Sequence, residues 1–144
     1  MVMYNINELH FASKCVIINE DNKFLILKRT KYSNNGENQW DFPGGSVELN
    51  EDVNDSIKRE AREELQIELN EVKVFNINSG KGVPVGQFIF VLFASKNFDL
   101  KEGIKLSNEH SEYQWILVDE IDNYDFYLRD NIINDVRNYV KELI

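Results

Sequence analysis

A chain of 144 residues with 42% hydrophobic and 12% aromatic content has the size and apolar material of one ordinary domain, expected over residues 1–144, and excludes a disordered or fibrous class. Its formal net charge of −9 argues against partnership with a nucleic-acid polymer, which requires a basic face. An anionic small molecule can then be held only where a divalent cation or local Lys and Arg offset the acidic balance.

Cys15 is the sole cysteine, so no internal disulfide is expected, and it lies in the apolar run Cys15-Val16-Ile17-Ile18 as a small core residue. No apolar run approaches the roughly 20 residues of a membrane span, and Met1 to His10 hold no signal-peptide apolar region. A cytoplasmic protein without a membrane partner is the expectation, as a monomer or homodimer. His10 and His110 are too few and too scattered to suggest a zinc site.

Taken in chain order, Phe11 to Asn19 reads as a strand, Glu20 to Asn22 as a turn and Lys23 to Arg29 as a second strand, the two making a hairpin. Thr30 to Gln39 is a polar loop, and Trp40 to Phe42 a short strand running into Pro43-Gly44-Gly45. A helix is expected over about Asp52 to Leu65. Val72 to Asn78 is a strand, Ser79 to Gly86 a glycine-rich loop, and Gln87 to Ser95 a central strand. Asn97 to His110 is a polar connection and Tyr113 to Val118 a further strand. Asp119 to Phe126 is irregular or a short helical turn, and Tyr127 to Leu143 a closing helix. The sum is an α/β fold, a mixed sheet flanked by helices.

The helix beginning near Asp52 carries the chemistry. Glu60, Glu63 and Glu64 fall within five positions, and residues three and four apart share a helix face, where like charges repel. They also lie toward the helix C-terminus, where the macrodipole disfavours anions. At about 100° per residue Val53, Ile57, Ala61 and Leu65 form one apolar stripe. Glu64 points between Val53 and Ile57 on that wheel, and Glu60 sits at the stripe's edge. A carboxylate aimed at buried surface needs a partner or a metal, and a hard divalent cation suits an oxygen-rich cluster.

The spacing from Gly45 through Glu51, Arg59, Glu60, Ala61, Glu63 and Glu64 to Ile67 resembles the Nudix box, G-x5-E-x7-R-E-U-x-E-E-x-G-U with U apolar. The lead-in Trp40 to Glu48 is also similar to that of the family. One position departs: Gln66 stands where the family usually has glycine, at a helix C-cap of left-handed conformation, where a non-glycine residue costs roughly 1 kcal/mol.

The resemblance implies an α/β/α sandwich and a MutT-like, Mg2+-dependent (or Mn2+-dependent) hydrolase of a nucleotide diphosphate linkage. A small-molecule nucleotide is the implied partner, preferably a nucleoside triphosphate cleaved to monophosphate and pyrophosphate. An ADP-ribose or nucleotide-sugar pyrophosphatase is the alternative, and a catalytically silent nucleotide sensor is disfavoured because all three box glutamates are present. By resemblance Glu60, Glu63 and Glu64 hold the metal, with the Gly44 carbonyl as a further ligand, and Arg59 orients a glutamate. Glu51 has a supporting role. Glu60 is the first choice for general base. Glu109 and Glu112 are the alternatives from a later loop, Glu109 also as a metal ligand. Arg29 (with Lys28) and Lys81 are candidates for phosphate contact. Trp40, Phe88 or Tyr113 are candidates for stacking on a base. Pro84, 17 residues past Ile67, is a weak pointer toward ADP-ribose.

Overall fold

The computed structural model describes residues 8–79 and 87–144. In chain order they form β1 (Leu9–Ile17), β2 (Phe24–Arg29), β3 (Trp40–Asp41), β4 (Gly44–Ser46), α1 (Val53–Leu65), β5 (Glu68–Ser79), β6 (Gln87–Asp99), β7 (His110–Ile116), a 3₁₀ turn (Val118–Asn123) and α2 (Asp130–Leu143). One sheet has the order β4-β1-β6-β5 and the other β3-β2-β7. The β1–β6 pair is parallel, from Leu9 opposite Gln87 to Ile17 opposite Ser95, and the remaining ladders are antiparallel.

Strict alternation along the strands builds two cores. Cys15 and Ile17 of β1, Leu25 and Leu27 of β2, and Val91 and Phe93 of β6 pack with Ile57, Ala61 and Leu65 of α1. The intervening Val16, Phe24, Ile26, Phe90 and Leu92 pack with Ile132, Val136 and Val140 of α2. Both faces of the strands are therefore covered, which explains why β1 and β2 read as apolar runs and not as alternating patterns. The architecture is the α/β/α sandwich expected from the sequence.

The expected hairpin is not a hairpin. Beyond one bridge, Ile18 to Phe24, β1 and β2 part into different sheets. Each strand has both edges occupied elsewhere, β1 by β4 and β6, β2 by β3 and β7. Strands β5 and β6 are longer than expected because they pair with each other from Glu68–Asp99 to Ser79–Ile89, through three irregularities. The closing helix starts later than Tyr127 because that residue is taken by β3: the Tyr127 N–H donates to the Trp40 carbonyl at 2.8 Å.

Helix α1 is fixed at both ends. The Asp52 side chain accepts from the N–H groups of Asn54 and Asp55, satisfying two of the unpaired first-turn donors. At the other end Gln66 adopts φ 56°, ψ 34°, and its N–H donates to the Arg62 carbonyl at 3.0 Å. The glutamine accepts the left-handed strain, and the helix stops where a glycine would stop it. Gln66→Gly is accordingly expected to stabilise the fold by about 0.5–1 kcal/mol without altering activity, measured as a rise in the urea midpoint at unchanged slope.

Candidate active site

The site begins with two glycines that are needed for different reasons. In the β1–β4 ladder Gly44 lies opposite Lys14 and Gly45 opposite Ser13. Gly44 has φ +146°, and a Cβ there would come within 1.9 Å of the Ser13 carbonyl oxygen. A Cβ on Gly45 would fall 2.6 Å from Glu60 Oε1. The first glycine lets β4 reach β1, and the second leaves room for a carboxylate.

The apolar stripe of α1 then aims the glutamates. Ile57, Ala61 and Leu65 are fully buried, which turns Glu64 inward to 4% exposure. The Gly44 N–H donates to Glu64 Oε1 at 2.8 Å. Glu64 Oε2 lies 3.5 Å from His110 Nδ1. Burial pushes the Glu64 carboxyl well above the ordinary carboxylate range; the charge of Lys14 and the Gly44 hydrogen bond oppose this, while Glu60 adds to it. Burial also raises Glu60, against the pull of Arg59.

Arg59 organises the rest of the box. Its Nε and Nη2 bond both oxygens of Glu51, at 2.7 and 3.0 Å, a bidentate grip. Nη1 reaches Glu60 Oε1 at 3.0 Å and Glu63 Oε2 at 3.1 Å, and Nη2 also donates to the Ser46 carbonyl. The hydrogen bond from Arg59 holds Glu51 down at about 2.

Among the described residues no three His, Cys, Asp or Glu side chains converge closely enough to hold a metal. The expected three-carboxylate cluster resolves into a buried Glu64, a half-buried Glu60 and an outward Glu63 whose side chain is 59% exposed and tied to Arg59. The donor chemistry nevertheless fits a hard divalent cation. Two neighbouring carboxylates are desolvated, the charge of Glu60 adds to the effect of burial on Glu64, the charge of Glu63 adds to it on Glu60, and Lys14 gives its bonds to Asp41 and the Phe42 carbonyl.

A second charge group stands beside the first. Asp41 is fully buried, and its Oδ2 accepts from Lys14 Nζ at 2.8 Å and Arg29 Nη1 at 2.6 Å. Burial works to raise the Asp41 carboxyl, but the charges of Lys14 and Arg29 outweigh it and hold it below its ordinary value. Arg29 is further fixed by Nε to the Asn35 carbonyl at 2.7 Å and by stacking 4.1 Å from the Tyr127 ring centroid. Burial leaves His110, down at about 4, as a neutral ring at physiological pH.

Most of these groups, though not Asp41 or Glu51, line one cavity of about 710 Å³. Gly44, Arg59, Glu60, Glu63, Glu64, Glu109 and Arg29 all stand on its wall, together with an apolar set of Phe88, Phe90, Leu128 and Ile132. Trp40 does not. It is 9% exposed and packs edge-on against Tyr124, because β3 is held between β2 and the Phe126–Tyr127 segment. A stacking role for Trp40 is thereby corrected to a core role. Phe88 lines the cavity and Tyr113 is absent from its wall. Glu112 lies opposite Lys28 on β7, 3.7 Å from its ammonium and off the wall, which leaves Glu109 as the loop candidate. Lys81 and Pro84 lie outside the described residues. Sequence reasoning missed Lys14, Asp41, His110 and Tyr127; the signal for the first two was a charge set inside an apolar strand.

A family model, the NUDIX domain, matches residues 8–138. The chain belongs to this family, as a MutT-like Nudix hydrolase, a pyrophosphohydrolase acting on nucleoside diphosphate derivatives. It is 28% identical over 123 residues to the nucleoside triphosphatase NudI of Escherichia coli O81 (strain ED1a), covering 77% of this chain and 84% of that one. Its fold is similar to the MutT protein from Methanosarcina mazei Go1, with a TM-score of 0.78 at 23% identity and 99% of each chain covered. The Nudix domain of Shewanella oneidensis NrtR, solved in complex with ADP ribose, is similar with a TM-score of 0.75 at 12% identity, covering 93% of this chain and 90% of that one.

Two expectations follow from the charge groups. Asp41→Asn leaves Lys14 and Arg29 in a buried site without their counter-ion and is expected to cost about 3–5 kcal/mol, read from chemical denaturation. Glu51 titrates lower folded, at about 2, than unfolded, near 4.5. Its contribution is therefore fully present above the unfolded value and is lost as pH falls through the folded one. The wild type should lose stability between about pH 5 and pH 2, and Glu51→Gln should flatten that part of a pH series of thermal midpoints.

Proposed function

We propose that this chain is a Mg2+-dependent nucleoside triphosphate pyrophosphohydrolase, with Mn2+ able to replace Mg2+, releasing a nucleoside monophosphate and pyrophosphate. The observation that carries the reading is one cavity with two chemically distinct sets of lining residues. Carboxylates Glu60, Glu63 and Glu64 with Arg59 and Arg29 suit a metal-bound polyphosphate, and Phe88, Phe90, Leu128 and Ile132 suit a nucleobase. The name carried by the NudI relatives, nucleoside triphosphatase, supports the same substrate class.

In this reading Glu60, Glu64 and, after leaving Arg59, Glu63 would hold the cation with the Gly44 carbonyl, and Glu109, which lines the same cavity, would be a further ligand. The bound cation neutralises phosphoryl oxygens and lowers the pKa of a water. Arg29, locked by Asp41, Asn35 and Tyr127, presents the rest of its guanidinium to a phosphate. Water adds to phosphorus as the anhydride P–O bond breaks, the proton of the water passes to the Glu60 carboxylate, and pyrophosphate departs with the bridging oxygen. Arg59 keeps Glu60 oriented through Nη1 while Glu51 anchors its other nitrogens.

A screen of nucleoside triphosphates, ADP-ribose and nucleotide sugars, with phosphate release and product masses recorded, tests the substrate. Preference for ADP-ribose would move the assignment to the ADP-ribose class. Glu64→Gln and Glu60→Gln should each lower kcat by roughly 10³-fold while the thermal midpoint holds or rises, because a desolvated carboxyl group in a site crowded with like charge is removed. Full activity in both variants at saturating Mg2+ would sink the site. EDTA should abolish turnover and added Mg2+ restore it.

A further inference from the structure

His110 opens β7, and its side chain is only 3% exposed. Its Nδ1 is buried and makes no hydrogen bond among the described residues. The nitrogen stands 3.5 Å from Glu64 Oε2, too long for a formed bond and close enough for a small shift to make one. The other oxygen of that carboxylate is already held by the Gly44 N–H at 2.8 Å.

The backbone places this ring deliberately with respect to Glu64. The Lys105 N–H donates to the Leu65 carbonyl at 3.1 Å and the Ser107 N–H to the Glu64 carbonyl at 3.2 Å. The His110 N–H then donates to the Ser107 carbonyl at 3.3 Å. The segment that carries the ring is therefore fastened to the last turn of α1, on the residue the ring faces. The nearby cations do not compete for this task, since Lys14 and Arg29 both bond Asp41.

We infer that His110 is a positioning residue for Glu64: with its proton on Nδ1, the ring closes onto Oε2 when that carboxylate holds a cation, and with the Gly44 N–H it fixes the carboxylate plane. The inference rests on the reading of Glu64 as a metal-holding residue. It requires one tautomer, because Nδ1 meets an acceptor only when it carries the hydrogen. Supports of this kind around metal-bound groups change affinity by about 10–100-fold when removed.

The test uses the full chain and Mn2+ alone, with binding followed by the loss of the free-ion EPR signal. The amide nitrogen of asparagine sits near the place of Nδ1, and that of glutamine near Nε2. His110→Asn should bind Mn2+ within about threefold of wild type, and His110→Gln and His110→Ala at least about tenfold more weakly. In ¹⁵N-histidine-labelled wild type loaded with Mg2+, the resonance missing from His110→Asn should report a protonated Nδ1. A bare Nδ1, or equal Mn2+ affinity in all three variants, overturns the inference, and the tautomer decides it even if the alanine variant fails to fold. Glu64→Gln is the control: Mn2+ binding unchanged there would bring down the metal reading itself, whereas loss in Glu64→Gln with no effect at His110 removes only the role of the histidine.

Discussion

Glu64 is a carboxylate with almost no access to water, and in place of water it receives a backbone N–H from a turn that only glycine can make. That one bond, Gly44 N–H to Glu64 Oε1, ties β4 to α1. It requires the φ of +146° at Gly44, because any Cβ there would strike the Ser13 carbonyl. Once β4 lies against β1 in that register, a Cβ on Gly45 would fall 2.6 Å from Glu60 Oε1, so a side chain there would displace the carboxylate that Arg59 holds. The position of the helix, the pairing of the short strand and the placement of two anions follow from one steric permission.

Around that contact the charges divide into two groups with different work. The Arg59 group gathers Glu51, Glu60 and Glu63 and sets the orientation of the box helix against the glycine turn. The Asp41 group draws Lys14 and Arg29 to one buried oxygen, which leaves a net positive corner on the cavity wall. In a chain of net charge −9, Lys14, Arg29 and Arg59 thus stand on the same cavity wall as Glu60, Glu63 and Glu64. In the proposed reading a phosphate would meet guanidinium first and carboxylate through a cation, which would offset the repulsion imposed by the overall acidity.

The parts of this arrangement written in local pattern were legible. A four-residue apolar step from Ile57 to Leu65 fixed the direction of Glu64, and the box spacing fixed which glutamates to consider. The left-handed end of α1 was also readable at Gln66, although the residue itself is not the one that conformation favours. What stayed hidden depends on partners distant in sequence. Lys14 and Asp41 read as oddities until the fold sets them 2.8 Å apart, and Glu109 and Glu112 read alike until the fold sets the first, just before β7, on the cavity wall and the second, within β7, beside Lys28. The separation of β1 from β2 is of the same kind. The turn at Glu20–Asn22 is adequate for a hairpin, and the parallel partner of β1 arrives some 70 residues later.

The outward position of Glu63 has an energetic reading. Its pair with Arg59 is an exposed i,i+4 contact, with the glutamate side chain 59% accessible, and such pairs contribute about 0.3–0.5 kcal/mol. The bidentate Arg59–Glu51 contact is stronger and less exposed, with the Glu51 side chain at 15%. Glu63 can therefore leave the arginine at small cost while Arg59 stays in place, still holding Glu60 through the same Nη1. Glu64 has no such freedom, being fixed by Gly44 on one oxygen and faced by His110 on the other. A cation arriving in this cavity would meet a buried Glu64 held by Gly44 and a half-buried Glu60 held by Arg59, with the exposed Glu63 able to close on it from solvent.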